Sequence, residues 1–492
     1  MGAFLAARRG AFLGLALAAG RYHAGGLALP RMASVTPLLR TAWPVWWRVG
    51  VVLALFGLYL PLSGYMVGQF RFDAAEYWEL SLRFTPQGHF SLLAFDVPHR
   101  GYLGPLLVLP ARLLCHFTGW SMLAGARLLG AGWAALLFGL VIPELWKQAT
   151  GRAFSGGRWL GLLSLGFIFW RDYFNFTLSD APALALLGLG LAALMRRDWY
   201  WAGLGGLLLL AAVNIRPIYL ASVPAGLWLL LRTAGSVRER GVRAAALLCG
   251  AGLVLLPQAL INRRYFQRAT PLVLAQRPGG GPIYLKQLGW GTRFQRYESS
   301  LIPAIPRSLV YADPGGQADL AGHQFTGYGH YLRFVAGHPL AVTGRCLKHL
   351  FNGLDLWYPT PYPTQLHPAG QWLLRLLNYG LLGVGTYLAG LAFWRARHRQ
   401  APYSPAAPVL GALLLPCLLV LPTLMECRFL LPLHLLLLTG IAATWQPIAG
   451  WRLLQPARRW VLLLLAAGWM CGCWQLSEST SRQRRPPSEA PQ

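Results

Sequence analysis

The sequence predicts an all-α polytopic membrane protein with about eleven transmembrane helices (range 10–13), juxtamembrane helices in the first outer loop, and a second, long outer loop. Three observations carry that expectation. Of 492 residues, 55% are hydrophobic and 12% charged, which leaves uncharged stretches too long and too frequent for a water-soluble core. Apolar runs near the roughly 20 residues that a helix needs to cross hydrocarbon recur from about residue 47 to residue 475. Leu and Ala dominate these runs, where an outer-membrane barrel would show alternating segments of roughly ten residues. Prolines and glycines inside them do not refute helix, because neighbouring helices satisfy the freed backbone groups.

Taken in order, residues 1–46 are an N-terminal extension. Phe12 to Gly20, following Arg8 and Arg9, has the character of a signal-peptide apolar region but is too short to span, and Met32 offers an alternative start. The candidate spans are 47–68, 122–146, 158–171, 180–195, 199–213, 218–231, 243–261, 372–394, 407–424, 429–446 and 459–475. They define an N-terminal transmembrane module at 47–261 with an outer loop at 69–121, a long outer-face loop or cap at 262–371, C-terminal transmembrane helices at 372–475 and a polar tail at 476–492. No internal repeat is visible, which weakens inverted-repeat transporter architectures.

Charge gives this list a direction. Five loops carry the basic residues: Lys147, Arg152 and Arg158; Arg196 and Arg197; Arg232, Arg238, Arg240 and Arg243; Arg395, Arg397 and Arg399; Arg452, Arg458 and Arg459. With the N-terminus cytoplasmic, all five fall inside, as the positive-inside rule expects of a plasma (bacterial inner) membrane protein. Counting Tyr102 to Phe117 as a span would move every later basic loop outside. Pro105, Pro110 and Arg112 also interrupt that stretch, so it is expected to lie along the outer face with its apolar side down. The cap is rich in aromatic residues and includes an amphipathic stretch from Pro339 to Leu354, so it is expected to fold.

A net charge of +28 would also suit a nucleic-acid binder, but short loops between apolar runs account for it. The expected partners are membrane lipids, with no nucleic acid. The seven cysteines show no CxxC spacing or disulfide framework, and Cys471 and Cys473 read as small core hydrophobes.

With only sixteen acidic residues in the chain, each one at a membrane boundary is informative. After the first span comes Phe72-Asp73-Ala74-Ala75-Glu76-Tyr77-Trp78-Glu79; in a helix, the spacing puts Asp73 and Glu76 on one face with Tyr77 beside them. Partial desolvation there would raise the basicity of a carboxylate, the property a general base needs; the alternative is a capping pair on a solvated helix. In Arg171 to Pro182, Ser179 or Asp180 is placed to cap the next helix, and such a carboxylate can still face a site. In Glu426-Cys427-Arg428-Phe429, the arginine either pairs with Glu426 or presents its planar fork to a phosphate. Asn214-Ile215-Arg216-Pro217 and the segment from Gln258 to Arg264 add basic groups on the same outer face.

These pieces, in this order, resemble the GT-C superfamily of polytopic glycosyltransferases, in particular bacterial members similar to protein O-mannosyltransferases and lipid A aminoarabinose transferases. The resemblance rests on Asp73-Ala-Ala-Glu-Tyr-Trp, His99-Arg100-Gly101-Tyr102-Leu103-Gly104-Pro105, Ser179-Asp180-Ala181-Pro182, Asn214-Ile215-Arg216-Pro217 and Glu426-Cys427-Arg428-Phe429-Leu430-Leu431-Pro432, across roughly residues 50–435. It implies an inverting enzyme that passes a sugar from a polyprenyl-phosphate carrier to a lipid, glycan or protein acceptor on the outer face. Asp73 would be the catalytic carboxylate and Glu76 the alternate. Arg428 and Arg216 would hold the donor phosphate, with His99, Tyr102, Asp180 and Glu426 completing the substrate site. Many relatives carry Pro-Pro where this chain has Gly104-Pro105, and some carry adjacent acids where it has Asp73 and Glu76. Two acids three residues apart could hold one divalent cation with help from phosphate, but a metal-free mechanism fits equally well, and no metal is assigned.

Trp78, Trp290, Trp357 and Tyr358 are candidates to stack on sugar faces, although interfacial anchoring explains such residues as well. Three competing functions are a transporter or flippase of lipid-linked sugars, a non-catalytic membrane scaffold or assembly partner, and a polysaccharide polymerase or ligase. Coupled ion transport is disfavoured by the near absence of acids within the spans.

Overall fold

The computed structural model describes residues 41–63, 70–233, 235–277, 280–300, 307–320, 325–363, 368–398, 405–444 and 455–485. Both candidate starts lie outside them. The chain enters through α1 (Val45–Leu62), the short α2 (Phe72–Leu80), α3 (Leu103–Thr118) and α4 (Met122–Thr150), which is wound as a π-helix over Ala135–Val141. There follow α5 (Gly156–Trp170), a 3-10 turn at Arg171–Asn175, α6 (Asp180–Leu194) and α7 (Trp199–Ile215). A second 3-10 turn, Pro217–Ser222, leads into α8 (Val223–Thr233), and α9 (Val237–Phe266) completes this half.

The segment predicted as a cap holds α10 (Ile283–Arg293), β1 (Phe294–Ser300), β2 (Arg307–Ala312), α11 (Pro314–Leu320), α12 (Tyr328–Gly337) and α13 (Pro339–Leu354). The chain ends with α14 (Pro368–His398), α15 (Ala406–Val420), a 3-10 turn at Cys427–Leu430 that runs into α16 (Leu431–Thr444), α17 (Pro456–Ser481) and β3 (Arg484–Arg485).

Among the described residues, six helices are long and apolar enough to cross a membrane: α1, α4, α9, α14, the helix Cys427–Thr444 and α17. Helices α3, α6, α7 and α15 are apolar but shorter. The protein is thus a mostly helical, multi-pass membrane protein; each of the eleven predicted spans overlaps a helix, but five of them overlap helices shorter than those six. Hydrocarbon leaves backbone groups no partner but the chain itself, so apolar runs of this length become helices. Small residues let them pack closely: a Cβ on Gly206 would meet the carbonyl oxygen of Leu247 at 2.2 Å, and one on Gly250 that of Gly203 at 1.9 Å, so α7 and α9 meet backbone to backbone.

The cap adds a small sheet to the predicted helices, and the tail joins it. The protein is not purely helical, because β1, β2 and β3 form a small antiparallel sheet in that order. The polar tail begins within a helix: α17 continues to Ser481, and β3 then pairs with β2. Polar residues after 476 find partners in the cap, which is why the helix outlasts its apolar run. Fully buried Asp355 accepts hydrogen bonds from Ser477 Oγ (2.5 Å), Trp357 Nε1 (2.7 Å) and Tyr379 OH (3.1 Å), and it is paired with Arg296 at 3.4 Å. Arg375 joins Ser477 to Glu478. Removing one member of such a set leaves charge and donors buried without partners. Asp355→Ala is therefore expected to cost on the order of 3–5 kcal/mol, read as a lowered midpoint of thermal unfolding in detergent.

Candidate functional site

The i, i+3, i+4 face of α2 is real, and one residue reads all of it. Arg100 Nη2 lies 2.9 Å from Asp73 Oδ1 and 2.6 Å from Glu76 Oε2, and Nη1 donates to Tyr77 OH at 3.3 Å. His99 pairs with the other oxygen of Glu76. The helix enters at Phe72 with a left-handed φ of 56°, a conformation that costs a non-glycine residue about 1–3 kcal/mol and persists only where its surroundings enforce it. Here the Phe72 ring packs 5.4 Å from that of Tyr362.

A chain of buried amides holds the loop that carries His99 and Arg100. Leu103 N–H donates to Asn214 Oδ1 (3.0 Å), Asn214 to Gln258 (2.8 Å) and Gln258 to Asn262 (3.0 Å), whose amide ends on the carbonyls of Thr270 and Leu272. Gly101 lies against Asn214 so closely that a Cβ would fall 1.8 Å from its carbonyl oxygen. Gly101→Ala must therefore displace the loop, and any activity that uses Arg100 should fall at least tenfold while the helical circular dichroism persists.

From the other side comes Arg428, in the 3-10 turn that opens α16. Its Nη2 lies 2.5 Å from Asp73 Oδ2, its Nε donates to Glu426 Oε2 at 2.8 Å, and its Nη1 lies 3.7 Å from Asp180 Oδ2. Arg216 pairs with Asp180 Oδ1, and Tyr173 OH donates to Asp180 Oδ2 at 3.1 Å. The capping expectation is corrected here: α6 begins with no side-chain cap, and the Asp180 carboxylate turns to these partners instead. Asp73, Glu76, His99, Asp180, Arg216, Glu426 and Arg428 thus form one connected cluster. Tyr102 stands apart from it, packed with Phe84, Phe95 and Ile261 and donating to Val254 O at 3.3 Å.

Comparison with protein-family models, with curated proteins and with solved structures finds no match for this chain. The chemistry of the cluster therefore has to be read from its own geometry.

Sequence reasoning passed over Arg100, Tyr173 and Tyr362. Arg100 adjoins His99 and had a signal there, a cation one residue from a chosen one. Tyr362 had none; its ring closes over the cluster 5.8 Å from the Arg428 guanidinium and 4.9 Å from the Phe176 ring. The proposed sugar-stacking rings are partly spoken for, since Arg296 and Arg375 flank Trp357 at 3.8 and 5.5 Å and Arg112 lies over Trp78 at 5.6 Å.

Exposure divides the four carboxylates. The Asp73 and Glu76 side chains keep 31% and 30% of their surface, while Asp180 and Glu426 keep 4% and 3%. Only the first pair is open to a reacting group. The expected rise in basicity at Asp73 is overturned. Burial does push its carboxyl up, but the guanidiniums of Arg428 and Arg100 outweigh that and hold it well below the usual carboxylate range. Glu76 behaves alike: burial pushes up, the hydrogen bond from His99 and the charge of Arg100 pull down, and the result is about 2.

Because its pKa falls on folding, Glu76 adds stability that is complete above the ordinary carboxylate value and fades as pH drops through about 2. Unfolding midpoints should accordingly fall as the pH drops from about 5 to about 2 in the wild type, and less steeply in Glu76→Gln. Burial pushes Glu426 the other way, upward, against the pull of Arg428 and with the help of Asp73. Its Oε1 is the one carboxylate oxygen in the cluster left without a hydrogen-bond partner among the described residues.

Two small clefts are lined by neighbouring residues, Asp180 and Arg216 in one and Ser179 and Ile215 in the other. One is lined by Asp180, Arg216, Arg428 and Phe429 with apolar Ile218 and Val420, the other by Tyr77, Leu107, Trp133, Ser179 and Ile215. Among the described residues, no three His, Cys, Asp or Glu side chains are grouped to hold a metal ion; arginines stand between the carboxylates. Arg216 and Arg428, paired with Asp180, Asp73 and Glu426, border the first cleft, and the more exposed carboxylate of Asp73 stands beside them.

Proposed function

We propose that this protein is a membrane glycosyltransferase of the GT-C type, moving a sugar from a polyprenyl-phosphate donor to a lipid, glycan or protein acceptor on the outer face of the plasma membrane. The observation that carries the proposal is the junction of Asp73 with Arg428. A reachable carboxylate is bonded to an arginine that also borders a cleft between apolar helix ends.

In this reading the prenyl tail lies in lipid, and its phosphate meets Arg428 and Arg216. The acceptor oxygen attacks the anomeric carbon, the bond from that carbon to the phosphate oxygen breaks with inversion, and Asp73 takes the acceptor proton. Guanidiniums on the leaving phosphate stabilise the charge that develops there. Arg428 then has a second task. A phosphate that draws it away from Asp73 removes one of the three cations that depress the carboxyl, so the donor itself raises the basicity of the base. Glu76, held by His99 and Arg100, is the alternate base and a positioning group for Arg100.

The test uses purified protein in vesicles supplied with polyprenyl-phosphate sugars extracted from membranes. The proposal expects free polyprenyl phosphate to accumulate as sugar appears on an acceptor. Movement of the lipid-linked sugar across the bilayer with no such release would favour the flippase and overturn the proposal.

A further inference from the structure

Helix α13 is folded inside out for a helix facing water. It buries Arg345, His349 and Asn352, which are 7%, 1% and 1% exposed, and turns outward Leu340 and Leu347, which are 88% and 63% exposed. Each polar residue on the buried side has partners, although Arg345 Nη1 has none among the described residues. Arg345 pairs with Asp313 and Asp319, His349 with the carbonyls of Phe294 and Leu421, and Asn352 donates to Gln295 O. Helix α12, joined to α13 through His338, has no buried residue. It rests on Leu285, Leu288 and Phe325 through Tyr331 and Phe334, and directs Leu332 outward with Tyr328 at its start.

This outward face is continuous with that of an apolar helix. Tyr284 OH donates to Leu419 O (2.7 Å) at the end of α15 and packs 6.5 Å from Tyr328, while His349 bonds the next carbonyl but one, that of Leu421, at 2.5 Å. Leu418 and Leu419 of α15 are themselves exposed, as are Leu463, Leu464 and Leu465 of α17. Polar groups inward and leucines outward is the burial pattern of a surface in contact with hydrocarbon. Exposed Arg333 and the half-exposed Lys348 border the leucines, where anionic headgroups would meet them.

We infer that the α12–α13 elbow docks into the membrane leaflet on the cap side, with Leu332, Leu340 and Leu347 among the acyl chains and Arg333 and Lys348 at the headgroups. The occupant of this face is lipid. The elbow is then an anchor for the cap: α13 leads directly to Asp355 and on to Tyr362, which covers Arg428. The inference stands whether or not the protein transfers sugar.

The test places the photo-crosslinking residue benzoylphenylalanine at position 340 or 347 of the full chain, with position 464 of α17 as the lipid-facing control. The protein is reconstituted into vesicles of phosphatidylethanolamine and phosphatidylglycerol, irradiated and weighed by mass spectrometry. Phospholipid adducts at 340 and 347, in yields of the same order as at 464, are expected. A cross-linked pair of chains would assign the face to a second copy. Labelling at 464 with none at 340 or 347 would assign it to water. Either result overturns the inference.

Discussion

Asp73→Asn should abolish sugar transfer, lowering turnover by roughly 10²–10⁴-fold, the usual contribution of a positioned proton acceptor, while the protein inserts, folds and still takes up polyprenyl phosphate. Asparagine fills the same space and its oxygen still accepts a hydrogen bond from Arg100 or Arg428, so the loss isolates the charge. The cost in stability should be small, because Asp73 keeps nearly a third of its surface and water screens its ion pairs. The check is turnover measured beside donor binding and the unfolding midpoint on the same preparation. Full transfer by Asp73→Asn would remove the base assignment, and Glu76→Gln would then be the variant to examine.

Arg428→Gln should be the most damaging single change in the site. The guanidinium serves Asp73, Glu426 and Asp180 at once, and two of those carboxylates are almost wholly buried. Without it, Glu426 keeps no ion pair, and taking one partner from a buried pair costs on the order of 3–5 kcal/mol. Arg428→Lys keeps a charge but not the fork, and a compact ammonium cannot bridge three carboxylates in different directions. The expected order is wild type, then lysine, then glutamine, both in thermal midpoint and in affinity for prenyl phosphate. A glutamine variant as stable as wild type would show that the cluster holds together without its centre.

The helices were legible because length and apolarity alone decide them in a bilayer, and Pro339 to Leu354 was read to the residue because proline opens it and its polar face repeats at helical spacing. That pattern says a helix has two faces but not which one turns inward, so the inverted burial of Arg345 and Leu340 was invisible. The sheet escaped because its strands are short and the third lies far along the chain, after the last helix.

In the site, Asp73, Glu76 and Tyr77 could be grouped because helix geometry is local. The bond from Arg428 to Asp73 joins residues 355 apart, and no spacing rule spans that distance. Scarcity served in its place: with so few acids, those at helix ends were worth naming, and Asp180 and Glu426 proved to share one arginine. What scarcity could not tell was the sign of the electrostatics. Burial alone argued for a stronger base, and the arginines around Asp73 reverse it.

The central claim is that this cluster holds the phosphate of a lipid-linked donor. The most direct test is the titration of polyprenyl phosphate into the protein in nanodiscs, comparing wild type with Arg216→Gln and Arg428→Lys. Saturable binding by the wild type, weakened at least tenfold in each variant, is the result the account requires. The same affinity in all three proteins would contradict it.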